Sequence, residues 1–559
     1  MKKQSVTLSI EGMTCAHCAQ SIEQLLRRKE GILDVSVDFA AGTCHCSFDA
    51  SQTNEQDIID SINQTQQYKA KQANPPRTEE KSSGPFVSSS AGSYDLIIIG
   101  GGSAAFSAAI TAESLGLKTL MVNAGLDIGG TCVNVGCVPS KYFIRAAEAA
   151  HRARHAHFPG IRPQGAHIDY TQLLQTKRQL VATLRQQKYI DVVKDFKHLT
   201  ILQGFAKFRD SHHIEVNGQV FRAVKFLIAT GATTHIPNIE GLEDIDYLTP
   251  GALFELEALP PSLTVLGAGY IGCELAMAYN RLGVKVRIIE FTDRVLRHQT
   301  PDVSQVIEAQ MRKEGIELLP NHRVEKFEKK GEQTIIHCRR PDGSTIQLTE
   351  TGSVLVATGT QPNTSGMGLE TIGLQLSDSG HVVVNERMET NLPHIYAAGD
   401  VVNTPAYVYT AAYEGKIAVE NAFTAANKQF DYSALPWVIF TSPQVAGTGL
   451  DEAQAAARGI PHEVSKIELR DVPRSIVAQD TTGFIKLIRH SETHCLLGAR
   501  IVAPEGGELV QALSMAIQYG IDVQALAENL YPYLTLSEGI KLAALAFNKD
   551  VSKLSCCAS

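Results

Sequence analysis

Residues 129–141 read GGTCVNVGCVPSK: Cys132 and Cys137, with four residues between them in a glycine-rich turn, precede a stretch that reads as a helix. Thiols so spaced can close a small ring as a disulfide, accept two electrons and open as a dithiol. A purely structural bridge is the alternative. Upstream, residues 95–105 read DLIIIGGGSAA. An apolar strand there runs into Gly100, Gly102 and Ala105, the G-x-G-x-x-A spacing that lets the backbone approach a pyrophosphate at a helix N-terminus. Downstream, VLGAGYIGCE at 265–274 repeats the device with Gly267, Gly269 and Gly272. Strands alternate with helices around both fingerprints. From Tyr94 onward the expected fold class is therefore α/β, with two Rossmann-like dinucleotide-binding units.

The chain has 559 residues, 44% hydrophobic and 20% charged, so it is globular and holds several domains. Its net charge of −8 gives no basic surface for nucleic acid. The opening MKKQSVTLSIEG lacks the apolar stretch of a signal peptide. The most apolar region, 96–110, is too short to span a bilayer. A soluble, cytoplasmic protein with no membrane insertion is expected. Eleven cysteines in a reducing compartment point to metal or redox chemistry. Cys273, Cys338 and Cys495 stand alone and read as packing residues.

Ahead of the α/β section, residues 1–68 read as strands at 5–10, 35–38 and 43–48 and helices at 19–28 and 55–62. Those are the first five elements of the βαββαβ order of a small ferredoxin-like sandwich. Its first loop reads GMTCAHC, residues 12–18. Cys15 and Cys18 lie three apart at a helix N-terminus, which favours thiolates, and two soft thiolates select soft metal ions. A redox pair or simple packing are the alternatives. Cys44 and Cys46 share one face of a strand, either as small packing residues or as a further soft-metal site. Residues 69–93 are rich in Pro, Ser and Gly and read as a flexible tether with a typical span of roughly 25–30 Å.

Section 1–68 resembles the heavy-metal-associated domains of copper chaperones and metal pumps. GGTCVNVGCVPSK, between the two fingerprints, resembles the signature of the flavin-dependent disulfide oxidoreductases. That resemblance implies FAD beside the pair, with Cys137 as the thiolate next to the flavin, Cys132 as the interchange thiol and Lys141 near the ring. It also places Gly130, Thr131 and Ala206 at the flavin. LIATGA, with Thr230 and Gly231, resembles the turn closing the first flavin-binding half, and LVATGTQPN at 355–363 is its second copy. Glu274 matches the partner of the lysine. TNLPHIYAAGD resembles the stretch whose last residue, Asp400, holds the ribityl chain. The strand 119–122 ends at Asn123, where an acid is expected to hold a ribose.

The second unit implies a nicotinamide coenzyme. Glu290 ends its second strand and suits the 2′-hydroxyl of NADH, whereas Arg294 and Arg297 could clamp the 2′-phosphate of NADPH. The subfamily points to NADPH, so both stay open. The disulfide reductases of this group carry a general-base histidine where this chain has Tyr533. A phenol with a pKa near about 10 is a poor base at neutral pH. The chain ends in LSCCAS, with Cys556 and Cys557. With YPYLT at 531–535, this ending resembles that of the mercuric reductases. Tyr189 then joins Tyr533 beside the metal, although packing is its other reading.

The mercuric-reductase resemblance implies that NAD(P)H and FAD reduce Hg(II), taken as a thiol complex, to volatile Hg(0) for detoxification. The metal passes from Cys15 and Cys18 to Cys556 and Cys557, then to Cys132 and Cys137. It further implies a homodimer whose active site spans both chains. The expected domains are 94–245 and 366–432 for FAD, 246–365 for NAD(P)H and 433–559 for α+β dimerisation with the Cys-Cys tail. The rival functions are a lipoamide- or glutathione-type disulfide reductase, and a copper delivery protein fused to a flavoprotein.

Overall fold

The computed structural model describes residues 3–11, 22–23, 25–27, 29, 31–38, 43–65, 68–72, 92–155 and 158–551. It divides into two compact units. One comprises Met1–Asn134, Val181–Thr233 and Gln361–Phe430, the other Val135–Leu180, Thr234–Thr360 and Asp431–Ser559.

The strands and second helix of the N-terminal section follow the expected order, and the expected helix 19–28 lies partly outside the described residues. Strands Lys3–Glu11, Ile32–Asp38 and Thr43–Asp49 and helix Glu55–Asn63 are followed by a fourth strand, Lys69–Gln72. The alternation of Val6, Leu8 and Ile10 points one strand face at Ile58 and Ile62 of the helix and at Ile22 and Leu26. Asn54 caps the helix by accepting from the Asp57 N–H. The strand Lys69–Gln72 lies in what the composition reads as tether. It pairs antiparallel with the first strand, from Leu8↔Gln72 to Glu11↔Lys69. Only Ala70 of its four residues is buried, so the sequence carries almost no apolar alternation there.

In the first unit the strands Leu199–Gln203, Thr119–Asn123, Ser93–Ile99 and Gln219–Ile228 lie in that order in one sheet, each parallel to the next, and Ile395–Ala397 also pairs with the last. The run Leu96–Ile99 is buried throughout, as a strand covered on both faces must be. Helices Ser103–Ser114 and Val408–Phe423 pack together so closely that a Cβ on Gly415 would lie 2.2 Å from the Ala104 carbonyl oxygen.

The second unit holds the parallel sheet Glu317–Leu319, Lys285–Ile289, Ser262–Leu266 and Ser353–Val356, a three-stranded antiparallel sheet over residues 323–350, and a five-stranded antiparallel sheet over residues 437–503. It also holds the helix Cys137–Arg154 and, as far as Leu180, the helix Tyr170–Arg185, which the sequence reading grouped with the flavin section. Packing explains the grouping: Phe143, fully buried, stacks against Tyr170 and Phe254 and touches Tyr279 of the helix Tyr270–Arg281. No helix among the described residues is long and apolar enough to cross a membrane.

Candidate active site

The first fingerprint forms a tight strand-turn-helix. Gly100 has φ +134°, and a Cβ there would lie 2.1 Å from the Ala229 carbonyl oxygen, so no side chain fits. Gly102 caps the helix Ser103–Ser114 with no side-chain hydrogen bond, which leaves the first N–H groups turned to an incoming anion. Ala105 is fully buried and lets the helix lie close to the sheet. Gly130 approaches from the cysteine loop: a Cβ on it would meet the Gly102 Cα at 2.7 Å. Ala206 is buried and Thr131 exposed. Asn123 fills the end of its strand, its amide donating to the Leu126 carbonyl at 2.9 Å and to Gln203 at 3.2 Å. The donor-lined turn and its glycines fit a flavin dinucleotide.

Two further features complete this half. The Thr230 hydroxyl donates to the Asn363 carbonyl at 2.7 Å, and the Asn363 amide returns a bond to the Thr230 carbonyl at 2.9 Å. The turn holding Gly231 is thus locked to the QPN of the second ATG motif. Burial pushes the Asp400 carboxyl up from its ordinary value. The preceding Gly399 N–H is held at 2.6 Å by the fully buried Glu414. Sequence reading missed Glu414; the available signal was a carboxylate within an otherwise apolar helix face.

Cys132 is half-buried in the short helix Gly130–Asn134. Asn134 ties this turn down by donating to the carbonyls of Asp127 and Gly130, each at 2.9 Å, and Arg185 in turn bonds Asn134 and Asp127. Cys137 is exposed and is the first residue of the helix Cys137–Arg154, whose N-cap is Gly136 with no side-chain cap bond. An uncapped helix N-terminus favours a thiolate at this position. One turn on, Lys141 Nζ sits 2.6 Å from Glu274 Oε2. The other Glu274 oxygen accepts from the Phe440 N–H at 2.8 Å, and Nζ lies 4.6 Å from the Phe440 ring centroid. The Lys141–Glu274 pair was legible in sequence; Phe440 was not.

Tyr189 lies on a π-helical turn, Gln186–Ile190, edge-on to Phe106 with ring centroids 4.9 Å apart. Its ring covers Gly129, where a Cβ would come within 3.2 Å. It lines a cavity of about 790 Å³ with Phe106, Ser107, Lys188, Tyr409 and Lys416. Tyr533 is 53% exposed, next to Leu534 at φ +61°.

In the second unit, Gly267 has φ +98° and Gly272 faces its carbonyl, so a Cβ on Gly272 would lie 2.1 Å from it. Gly269 caps the helix Tyr270–Arg281 with no side-chain bond and open space on its Cβ side. This cradle also fits a dinucleotide. Glu290, 8% exposed, accepts from the N–H of Ala268 and of Thr292, each at 2.7 Å. Arg297 is exposed.

Cys44 and Cys46 are fully buried, and burial pushes their thiols up to about 12 and about 11. They pack in the core, and their burial disfavours the thiolate that a metal would need. Among the described residues no three His, Cys, Asp or Glu side chains gather as a metal-binding group. Cys15, Cys18, Cys556 and Cys557 lie outside the described residues.

Comparison with known proteins agrees with this geometry. The pyridine nucleotide-disulphide oxidoreductase profile matches residues 94–415, its dimerisation domain 435–544, and the heavy-metal-associated domain 7–67. A mercuric reductase from Staphylococcus aureus is 40% identical over 560 residues, 100% of each chain. One from Streptomyces lividans is 42% identical over 471 residues, 83% of this chain and 98% of its own. Among solved structures, the HOCl-induced flavoprotein disulfide reductase RclA from Escherichia coli, as its Cu(II) complex, superposes with a TM-score of 0.74 at 26% identity, covering 82% of this chain and 100% of its own. LpdA from Mycobacterium tuberculosis gives 0.72 at 29% identity over 81% of this chain and 100% of its own. The chain belongs to the pyridine nucleotide-disulphide oxidoreductase family and, within it, to the mercuric reductases.

Proposed function

We propose that this protein reduces thiol-bound Hg(II) to Hg(0) with two electrons from NADPH or NADH. The balance is Hg(SR)₂ + NAD(P)H + H⁺ → Hg(0) + NAD(P)⁺ + 2 RSH. The observation that carries the reading is full-length similarity to mercuric reductases in a chain whose Cys137 heads an uncapped helix. Gly100, Gly102, Ala105, Gly130, Thr131, Ala206, Thr230, Gly231 and Asp400 would hold FAD. Gly267, Gly269, Gly272, Glu290 and Arg297 would hold the coenzyme. The chemistry supplied by bound FAD is two-electron transfer from the coenzyme to the cysteine site.

The chain's own residues capture and orient the metal. Cys15 and Cys18 take Hg(II) from cellular thiols, Cys556 and Cys557 receive it by thiol exchange, and Cys132 and Cys137 hold it for reduction. Thiolate replaces thiolate at every handover, so the ion never needs to be released bare. Lys141, fixed by Glu274 and the Phe440 ring, keeps a positive charge one turn from Cys137. Tyr189 and Tyr533 flank the metal. The dimerisation domain supports a homodimer in which Tyr533 and the tail reach the partner's cysteine pair, in the cytoplasm.

The test is oxidation of each coenzyme with Hg(II) and excess small thiol while the headspace is trapped. Metal-dependent oxidation matched by mercury vapour is the expected result. A reducible flavin without vapour, and rapid turnover of lipoamide or oxidised glutathione, would overturn it.

A further inference from the structure

The end of the strand Lys285–Ile289 bears on which coenzyme the second unit takes. Glu290 follows it, and each carboxylate oxygen accepts a backbone N–H, from Ala268 and from Thr292. Ala268 lies between Gly267 and Gly269, so the charge is pinned to the phosphate-facing turn and is 92% withdrawn from water with the rest of the residue, which is 8% exposed. Its remaining lone pairs can only accept. A ribose 2′-hydroxyl brings a donor to them; a 2′-phosphate brings acceptors and like charge.

The basic residues nearby do not cancel this. Arg294 pairs with Asp293 at 2.8 Å and donates to the Arg297 carbonyl at 3.1 Å, while its Nε is buried without a partner. Its guanidinium is folded onto its own loop. The residue directly after Glu290 is Phe291, 71% exposed, an apolar ring where a phosphate clamp would need a cation. Arg297 alone stands in solvent as a candidate clamp.

We propose that Glu290, with Phe291 beside it, makes NADH rather than NADPH the preferred electron donor of this chain. The inference rests on the reading of residues 262–356 as the coenzyme unit. Like charges about 4 Å apart near a protein surface weaken binding by more than tenfold.

The experiment is calorimetric titration of the FAD-loaded full chain with 5′-AMP and with 2′,5′-ADP, which differ only in the 2′-phosphate. NADH and NADPH are added separately to bleach the flavin. AMP is expected to bind about tenfold tighter or better. Glu290→Gln should narrow that ratio at least about fivefold, by tightening 2′,5′-ADP. Should Glu290→Gln lose its flavin, Phe291→Arg at the exposed position should narrow the ratio instead. Equal or tighter 2′,5′-ADP binding by the unaltered chain overturns the proposal, as does an unchanged ratio in the flavin-bearing variants. Bleaching by neither coenzyme would instead overturn the oxidoreductase reading itself.

Discussion

Two cysteine pairs in this chain, each close along the sequence, have opposite surroundings. Cys44 and Cys46 sit on the inner face of the strand Thr43–Asp49, fully buried among Leu8, Ile22 and Ile58. Cys132 and Cys137 sit on two short-range turns, one half-buried and one exposed at a helix N-terminus. Burial raises the thiols of the first pair to about 12 and about 11, where they behave as small apolar groups. In the second pair Cys137 begins a helix that has no side-chain cap, and the positive end of a helix favours the thiolate. Closeness along the chain therefore decides nothing; burial and the helix end do.

The contrast breaks most visibly under substitution. Cys137→Ala should lower Hg(II)-dependent coenzyme oxidation by about a thousandfold or more, since it removes a group that must hold the metal. Cys44→Ala should leave the same steady-state rate within about twofold and cost only core packing. Equal losses in the two variants would erase the distinction between the pairs.

Support of the reactive pair ranks next. Glu274 is nearly buried, bonding Lys141 Nζ on the helix that Cys137 heads and the Phe440 N–H. Glu274→Ala leaves both donors without this acceptor. The expected cost is about 2–3 kcal/mol, reduced because Lys141 is one-third exposed. A lowered melting temperature of the holoenzyme checks it, with Glu274→Gln recovering part of the loss.

The buried pair has its own signature in pH. The ordinary thiol value is 9.0, and the folded Cys44 value is about 12. Below pH 9 both folded and unfolded thiols are neutral, and this contribution to stability is whole. Above it the unfolded thiol ionises while the folded one does not, so stability falls by about 1.4 kcal/mol per pH unit until the folded thiol also titrates. Hydrogen exchange of the Thr43–Asp49 amides in the full chain should show protection falling from about pH 9 upward, and less steeply in Cys44→Ala.

What the sequence disclosed of all this was local. Both glycine turns, the cysteine loop and the Lys141–Glu274 pair could be read because spacing along the chain alone sets their geometry or because they sit in a recurring motif. The Phe440 contacts, the Thr230–Asn363 lock and the Glu414 bond to Gly399 could not, since their partners lie far apart or carry no spacing signal. The strand Lys69–Gln72 was hidden for a related reason: an edge strand with one buried residue owes its existence to the pairing surface of Leu8–Glu11. The fate of Cys44 and Cys46 stayed open in sequence because a strand face does not say which side the core lies on until the helix covering it is placed.

The smallest expected effect tests the helix N-terminus itself. Gly136 supplies no side-chain acceptor to the first turn of the helix that Cys137 begins. Gly136 has φ −124° and ψ −108°, outside the main regions of residues that carry a Cβ, so any substitution there strains the loop. Gly136→Ser adds, along with that strain, an oxygen that can cap the Val138 N–H, since Pro139 has no N–H and the Ser140 N–H already bonds the Gly136 carbonyl. The helix-end interaction with a charge is worth about 0.3–1 kcal/mol, so thiolate reactivity should fall about two- to fivefold. The rate of Cys137 alkylation at neutral pH, read with Cys132 replaced, measures it. Gly136→Ala carries the same strain without an acceptor and should lower the rate less than Gly136→Ser. A fall in Gly136→Ala equal to that in Gly136→Ser would assign the effect to loop shape, and the contrast between the two cysteine pairs would then rest on burial alone.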